Sequence, residues 1–204
     1  MDVVNMAKIS NYHHGNLREE IISAALGLLD KGGIEAVGIR QVARKVGVAH
    51  SAPANHFKNK QALFTALAIH IFRDLIMTIQ SEHLNDAGSL RDEIHHFANT
   101  ILGIGLMYPN RYKLVWRRDC IESENIELYQ VMEEIYQQLK AILKVHAKCK
   151  NIDVESQAIA PWSLIHGYVS FRMDGNLIAG HDDITGVERQ AAIIDVILEG
   201  LVPR

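Results

Sequence analysis

Proline, cysteine and aromatic side chains are all scarce in this chain. Among its 204 residues are four prolines and two cysteines, and Phe, Trp and Tyr together make up 6%. Few prolines, no sustained apolar–polar alternation and no Ser/Gly-rich linker argue against strands and tethered modules, and for helices throughout. Cys120 and Cys149 stand alone without CxxC spacing. They imply no disulfide framework and fit a reducing compartment. The first residues, MDVVNMAKISNYHHG, hold no apolar run ahead of a small-residue cleavage site, so no signal peptide is expected. No run of 18 apolar residues is read, so no membrane span is expected and the location is expected to be cytoplasmic. There is no GxSxG elbow, no phosphate-cradling glycine loop and no HExxH. The chain is therefore read as a non-enzyme without a cofactor.

What is present is apolar mass and an uneven charge. Hydrophobic residues make up 48% of the chain, enough for a sizeable core. The net charge of −3 hides an asymmetry. Residues 1–60 carry eight Lys/Arg against five acids, or +3, which leaves 13 against 19, or −6, for the rest. A basic end on an acidic body suits a nucleic-acid-binding head.

Apolar spacing and capping signals predict nine helices. Asn16 with Glu19 opens the first, and Gly32-Gly33 ends it. Two short helices follow, over about 39–46 and 50–56. A long helix spans about 60–84, with Leu63, Leu67, Ile71, Leu75 and Ile79 at four-residue steps, and Asn85-Asp86-Ala87-Gly88 breaks it. Ser89 with Asp92 caps the fifth, which Tyr108-Pro109 stops. A short sixth is read over Arg111–Arg118. Ser123 opens a seventh, which Lys148–Asn151 ends. Asp153 caps an eighth that runs to about Met173. Thr185 with Glu188 reads as a capping box for the last.

Residues 38–60, GIRQVARKVGVAHSAPANHFKNK, carry most of the functional information. Ile39, Val42, Ala43 and Val46 make one apolar helix face, and Gly47 breaks it. Two short helices about a glycine turn form a helix-turn-helix, which lays its second helix in the major groove. His50, Ser51 and Asn55 lie on the outer side of that second helix and are candidates for base edges. Arg40, Lys58 and Lys60 are candidates for phosphates. Gln41 and His56 complete the candidate DNA-binding set, and Phe57 is the buried anchor.

Eleven histidines raise the question of a metal. None pairs with another at the four-residue helical spacing that lets two imidazoles face one ion, so no metal is expected. His13 and His14 are assigned, with Lys8 and Tyr12, to an N-terminal arm reaching the DNA. Trp116, Tyr129, Met132 and Tyr136 suit either plain core packing, the commoner role of such residues at helical spacing, or the lining of a cavity, because bundle cores can hold small molecules among aromatic rings and flexible Met. The ligand set proposed from sequence is Phe97, Ile101, Trp116, Met132, Tyr136, Trp162 and His166. Trp162 and His166 sit one helical turn apart and suit plain packing, a pocket or an interface.

Residues 16–64, NLREEIISAALGLLDKGGIEAVGIRQVARKVGVAHSAPANHFKNKQALF, resemble the three-helix DNA-binding domain of TetR-type transcriptional regulators. In WSLIHGYVSFRMDGNL, Trp162, His166 and Gly167 resemble the signature of the family's WHG C-terminal subfamily. The resemblance implies an all-α homodimer with a DNA-binding head at 1–58 and a helical-bundle body for ligand and dimerisation at 59–204. It also implies that the last two helices pair with their symmetry mates, through Ile165, Tyr168, Val169, Ile193, Ile197 and Leu201. The expected partners are a palindromic operator and a small apolar effector that releases it, with the long helix as lever. Three positions depart from the family pattern. Ala54 stands where a phosphate-touching Tyr is usual, and Gly38 and Ala49 stand where Ser or Thr usually caps. A lost cap costs about 1 kcal/mol. These departures motivate the alternative, a helical interaction module that has lost DNA binding.

Overall fold

The computed structural model describes residues 17–82, 89–146 and 152–201. Asn16, the arm with Lys8, Tyr12, His13 and His14, the break at 85–88, Cys149, the stop at 148–151 and the side chain of Leu201 lie outside what it describes. Eight α-helices follow in order: α1 (Leu17–Gly32), α2 (Ile39–Val46), α3 (Lys60–Glu82), α4 (Leu90–Met107), α5 (Pro109–Val115), α6 (Ile126–His146), α7 (Val154–Met173) and α8 (Arg189–Leu201). Single 3-10 turns cover Ile34–Ala36 and Ala52–Asn55. Among the described residues there is no strand, only an isolated bridge between His181 and Glu188.

Among the described residues the expected nine helices are therefore eight, and the missing one is the second helix of the motif. Residues 52–55 form only a 3-10 turn, held by Ala52 N–H to Ala49 O and Ala54 N–H to Ser51 O. Pro53 stands in the first turn, where it forfeits at most one intrahelical bond, so a helix is expected to tolerate it with Ser51 as the cap. That cap bond is not formed: Ser51 occupies the cap position but makes no side-chain cap bond, and neither does Gly38 ahead of α2.

Three other starts move. The helix read over 111–118 is α5, which Pro109 opens and which ends at Val115. α6 begins at Ile126, because Asn125, not Ser123, accepts from the N–H of Leu128 at 3.0 Å. α8 begins at Arg189, because Thr185 is drawn back into a turn closed by Asp182. Asp182 Oδ1 accepts from the Thr185 N–H and hydroxyl, both at 2.8 Å. The capping box read at 185–188 is not formed. Three other local signals act as read. Ser89 and Asp92 cap each other reciprocally. Asp153 accepts from the Ser156 N–H at 2.9 Å. Gly47 closes α2 in the left-handed region, at φ 81°.

α3 is the axis of the molecule. By length and composition it is apolar enough to cross a membrane, a point the sequence reading passed over, and 67% of that apolar window is buried inside the protein. It packs on α1, α4, α5 and α6. Leu63 and Leu67 are fully buried, with Ile71, Leu75 and Ile79 nearly so. Each such side chain contributes about 1.5–3 kcal/mol on burial. One contiguous apolar cluster joins Ile21, Leu29 and Val42 at the N-terminal end to Ile135, Val169 and Leu198 at the other.

The last two helices correct the expected interface. Ile165, Tyr168 and Val169 are buried inside their own chain, and Ile193 and Ile197 are partly buried against the same core. The apolar side chains that α7 and α8 expose are Ile159, Phe171 and Val196, at 51%, 54% and 68%.

Candidate nucleic-acid interface and effector chamber

The N-terminal motif presents its polar side chains outward from a fixed apolar floor. Val42, Ala43, Pro53 and Phe57 are buried, while Arg40, Gln41, His50, Ser51, Asn55, His56, Lys58 and Lys60 are all exposed. Gln41 folds back over Gly38, so a side chain at 38 would make the flexible Gln41 amide move aside. Lys60 stands 5.1 Å over the ring of Phe64. Lys58 is held by a residue far along the chain, with Nζ 2.8 Å from Glu122 Oε1.

α5 ties this head to the body. At its first turn Arg111 grips Asp30 at the end of α1 through two bonds of 2.8 Å, and the Asn110 amide donates to the Asp30 carbonyl at 3.2 Å. The Arg111 guanidinium is pushed above its ordinary pKa, chiefly by the Asp30 hydrogen bond. One position on, Tyr112 meets His166 of α7, with Oη to Nδ1 at 2.8 Å and the rings stacked 5.6 Å apart. Burial pushes the Tyr112 hydroxyl up and holds the His166 imidazole below its usual range. Trp116 closes α5 and lies edge-on to His166 at 4.7 Å and to Trp162 at 6.2 Å.

These rings partition two adjoining cavities. The outer chamber, about 290 Å³, is lined by Trp116, Met132, Tyr136 and Trp162 of the sequence-derived set. Tyr129 stands at its exposed mouth. Its polar lining includes Arg118, Ser123 and Glu133. An inner slot of about 30 Å³ lies between Ile101, Trp116, Trp162 and His166. Phe97 lines neither. It is fully buried behind Trp162, with ring centres 6.4 Å apart. One wall is braced outside: the Tyr136 hydroxyl donates to Glu155 at 2.9 Å, and Lys140 Nζ lies 2.7 Å from the same carboxylate. Burial and Glu155 push the Tyr136 hydroxyl up to about 12.

Sequence reasoning missed Phe72, Arg118 and Tyr112. Phe72 falls beside the four-residue stripe of α3, so it is legible only from a second face of that helix. No local signal marked the other two. Among the described residues, no three His, Cys, Asp or Glu side chains converge to hold a metal.

Residues 21–67 match the family model of the bacterial regulatory proteins of the tetR family. Over 54 residues, 26% of this chain, the sequence is 44% identical to tetracycline repressor protein class D of Escherichia coli. That match spans a quarter of the repressor's own length. Two solved structures share the fold at full length. A protein with unknown function from Rhodococcus sp. RHA1 gives a TM-score of 0.78 at 22% identity, over 95% of this chain and 100% of that one. The transcriptional regulator FadR from Bacillus subtilis, in complex with stearoyl-CoA, gives 0.64 at 18%, over 90% and 97%. Residues 21–67 are therefore similar to the N-terminal domain of the tetR-family regulators. The described residues share the all-helical fold of these two solved structures.

Proposed function

We propose that this chain is a ligand-responsive transcriptional repressor of the cytoplasm, acting as a homodimer on a palindromic operator. The observation that carries the reading is the family match over 21–67, which contains all eight of the exposed candidate DNA-binding side chains. Residues 1–58 serve as the head and 59–204 as the body. Arg40, Lys58 and Lys60 hold phosphates. Gln41, His50, Ser51 and Asn55 face bases, and His56 with Phe57 seats the turn. The exposed apolar side chains Ile159, Phe171 and Val196 support pairing of α7 and α8 with a second copy.

The effector is small and mainly apolar. Its site is the chamber and slot around Trp116, which suit such a ligand in lining and, at about 290 Å³, in a size near the lower end for bound small molecules. FadR of similar fold is bound to stearoyl-CoA, whose tail is apolar. Trp162, His166 and Gly167 support assignment of the body to the WHG subfamily. Ten-fold weaker DNA binding requires about 1.4 kcal/mol of coupling between effector and operator.

The contraction of residues 52–55 to a 3-10 turn favours the second reading, an interaction module without DNA binding. Anisotropy of labelled duplex DNA, titrated with the full chain over a range of KCl, separates the two. A repressor binds, with affinity falling steeply as salt rises. An interaction module leaves the duplex free at every salt concentration.

A further inference from the structure

The segment between α5 and α6 is attached at both ends of the signalling path. Trp116, Arg118 and Ser123 face the outer chamber. Between the last two, Ile121 is buried, with 1% of its surface exposed. Its carbonyl accepts from the Gln61 amide at 3.0 Å. The next N–H, of Glu122, donates at 2.9 Å to the hydroxyl of Thr65, itself 2% exposed. Two hydrogen bonds and a buried isoleucine therefore fix this segment to the first turns of α3, immediately after the DNA-binding head. The side chain thus positioned is Glu122, whose carboxylate meets Lys58 Nζ at 2.8 Å.

We propose that Glu122 is an affinity-setting residue of the DNA interface: a carboxylate supplied by the chamber wall that occupies Lys58 until a DNA phosphate displaces it. The inference rests on the reading of Lys58 as a phosphate contact. Glu122 is only 24% exposed and its backbone is anchored, so its carboxylate stays near Lys58 when DNA arrives even after the contact is broken. A phosphate beside Lys58 lies within a few ångströms of that carboxylate. Two like charges at about 4 Å repel even at the dielectric constant of water, enough to shift a binding equilibrium about five-fold. DNA binding and the Lys58–Glu122 pair therefore oppose each other. A ligand that repositions Trp116, Arg118 or Ser123 acts on the same short segment, and through its bonds to Gln61 and Thr65 on the first turns of α3, and so shifts the balance at Lys58.

The test is a double-mutant cycle in the full chain, read as anisotropy of a mixed-sequence duplex of about 30 base pairs across KCl concentrations. Lys58→Ala is expected to weaken binding and flatten the salt slope by about one. Glu122→Gln is expected to strengthen binding about two- to five-fold, the range of a partly exposed ion pair. In the Lys58→Ala background Glu122→Gln is expected to have no effect. Glu124→Gln, an exposed neighbour with the same charge change, is expected to leave binding unchanged. The proposal is overturned if Glu122→Gln does not strengthen binding, or strengthens it equally without Lys58. A gain from Glu124→Gln as large as that from Glu122→Gln also overturns it, since that is only the effect of net charge. A wild-type chain that binds while Lys58→Ala has no effect removes its premise but leaves the repressor reading standing. No binding by wild type overturns both.

Discussion

Arg111 and Asp30 form a two-pronged ion pair, Nε to Oδ1 and Nη2 to Oδ2 both at 2.8 Å, across 81 residues of chain. The pair joins the first turn of α5 to the last turn of α1, and hence the body to the head. Both side chains are mostly covered, at 20% and 29% exposed. Parallel charge-assisted bonds of this kind are stronger than an exposed pair. Asp30→Asn is expected to cost about 1–2 kcal/mol in urea unfolding. In a cycle with Arg111→Gln the two losses are expected to be strongly non-additive. Additive losses would mean that the pair contributes nothing as a pair.

His166 makes stability depend on pH in a defined window. Burial lowers its pKa in the folded chain from the ordinary 6.5. As pH falls below 6.5 the unfolded chain takes up the proton first, so stability declines until pH passes the folded value and then levels. Asp92, Asp153 and Asp182 act in a separate range. Their pKa values are held below 3.8 by their capping and turn hydrogen bonds, so their contribution is kept above 3.8 and lost as pH falls through the folded values. Urea midpoints measured from about pH 7 to 5 are expected to fall less steeply in His166→Gln than in wild type. Parallel curves would remove His166 as the source.

Gly105 marks the closest approach of α4 to its neighbours. A Cβ there would lie 2.8 Å from Val169 Cγ1 and 3.0 Å from Tyr112 Cδ2, whereas one at Gly103 meets nothing within 4 Å. Gly105→Ala is expected to destabilise by about 1–3 kcal/mol through overpacking. Gly103→Ala is expected to stabilise by up to about 1 kcal/mol through helix propensity. Thermal melts of the two variants should move in opposite directions.

The chain has two tryptophans, and both line the outer chamber. Its tryptophan emission therefore reports that site directly. Medium-chain alcohols are expected to shift this emission and raise the melting temperature, with Met132→Ala weakening both effects. If neither changes, the chamber is not an apolar ligand site.

What was legible in the sequence was local. Ser89 with Asp92, Asp153 with Ser156, and Gly47 are pairs or single residues whose geometry is decided within one turn. The failures came from competition within the same few residues. Asp182 captured Thr185 before it could cap α8, and the second helix of the motif, without a cap bond from Ser51, contracted to a 3-10 turn. The chamber was half legible. Trp116, Met132, Tyr136 and Trp162 announce themselves by type, whereas Tyr112–His166 and Lys58–Glu122 join residues 54 and 64 positions apart and carry no local trace.

The account depends most on the head reading DNA as one half of a two-fold dimer. The most direct measurement is selection of bound duplexes from a random-sequence pool by the full chain, at moderate salt. The expected result is an inverted repeat, with half-sites about one helical turn apart or a multiple of that. Asn55→Ala is expected to blur the preferred bases while keeping the spacing. A pool with no enriched sequence, or a single half-site without its inverted partner, would contradict the account.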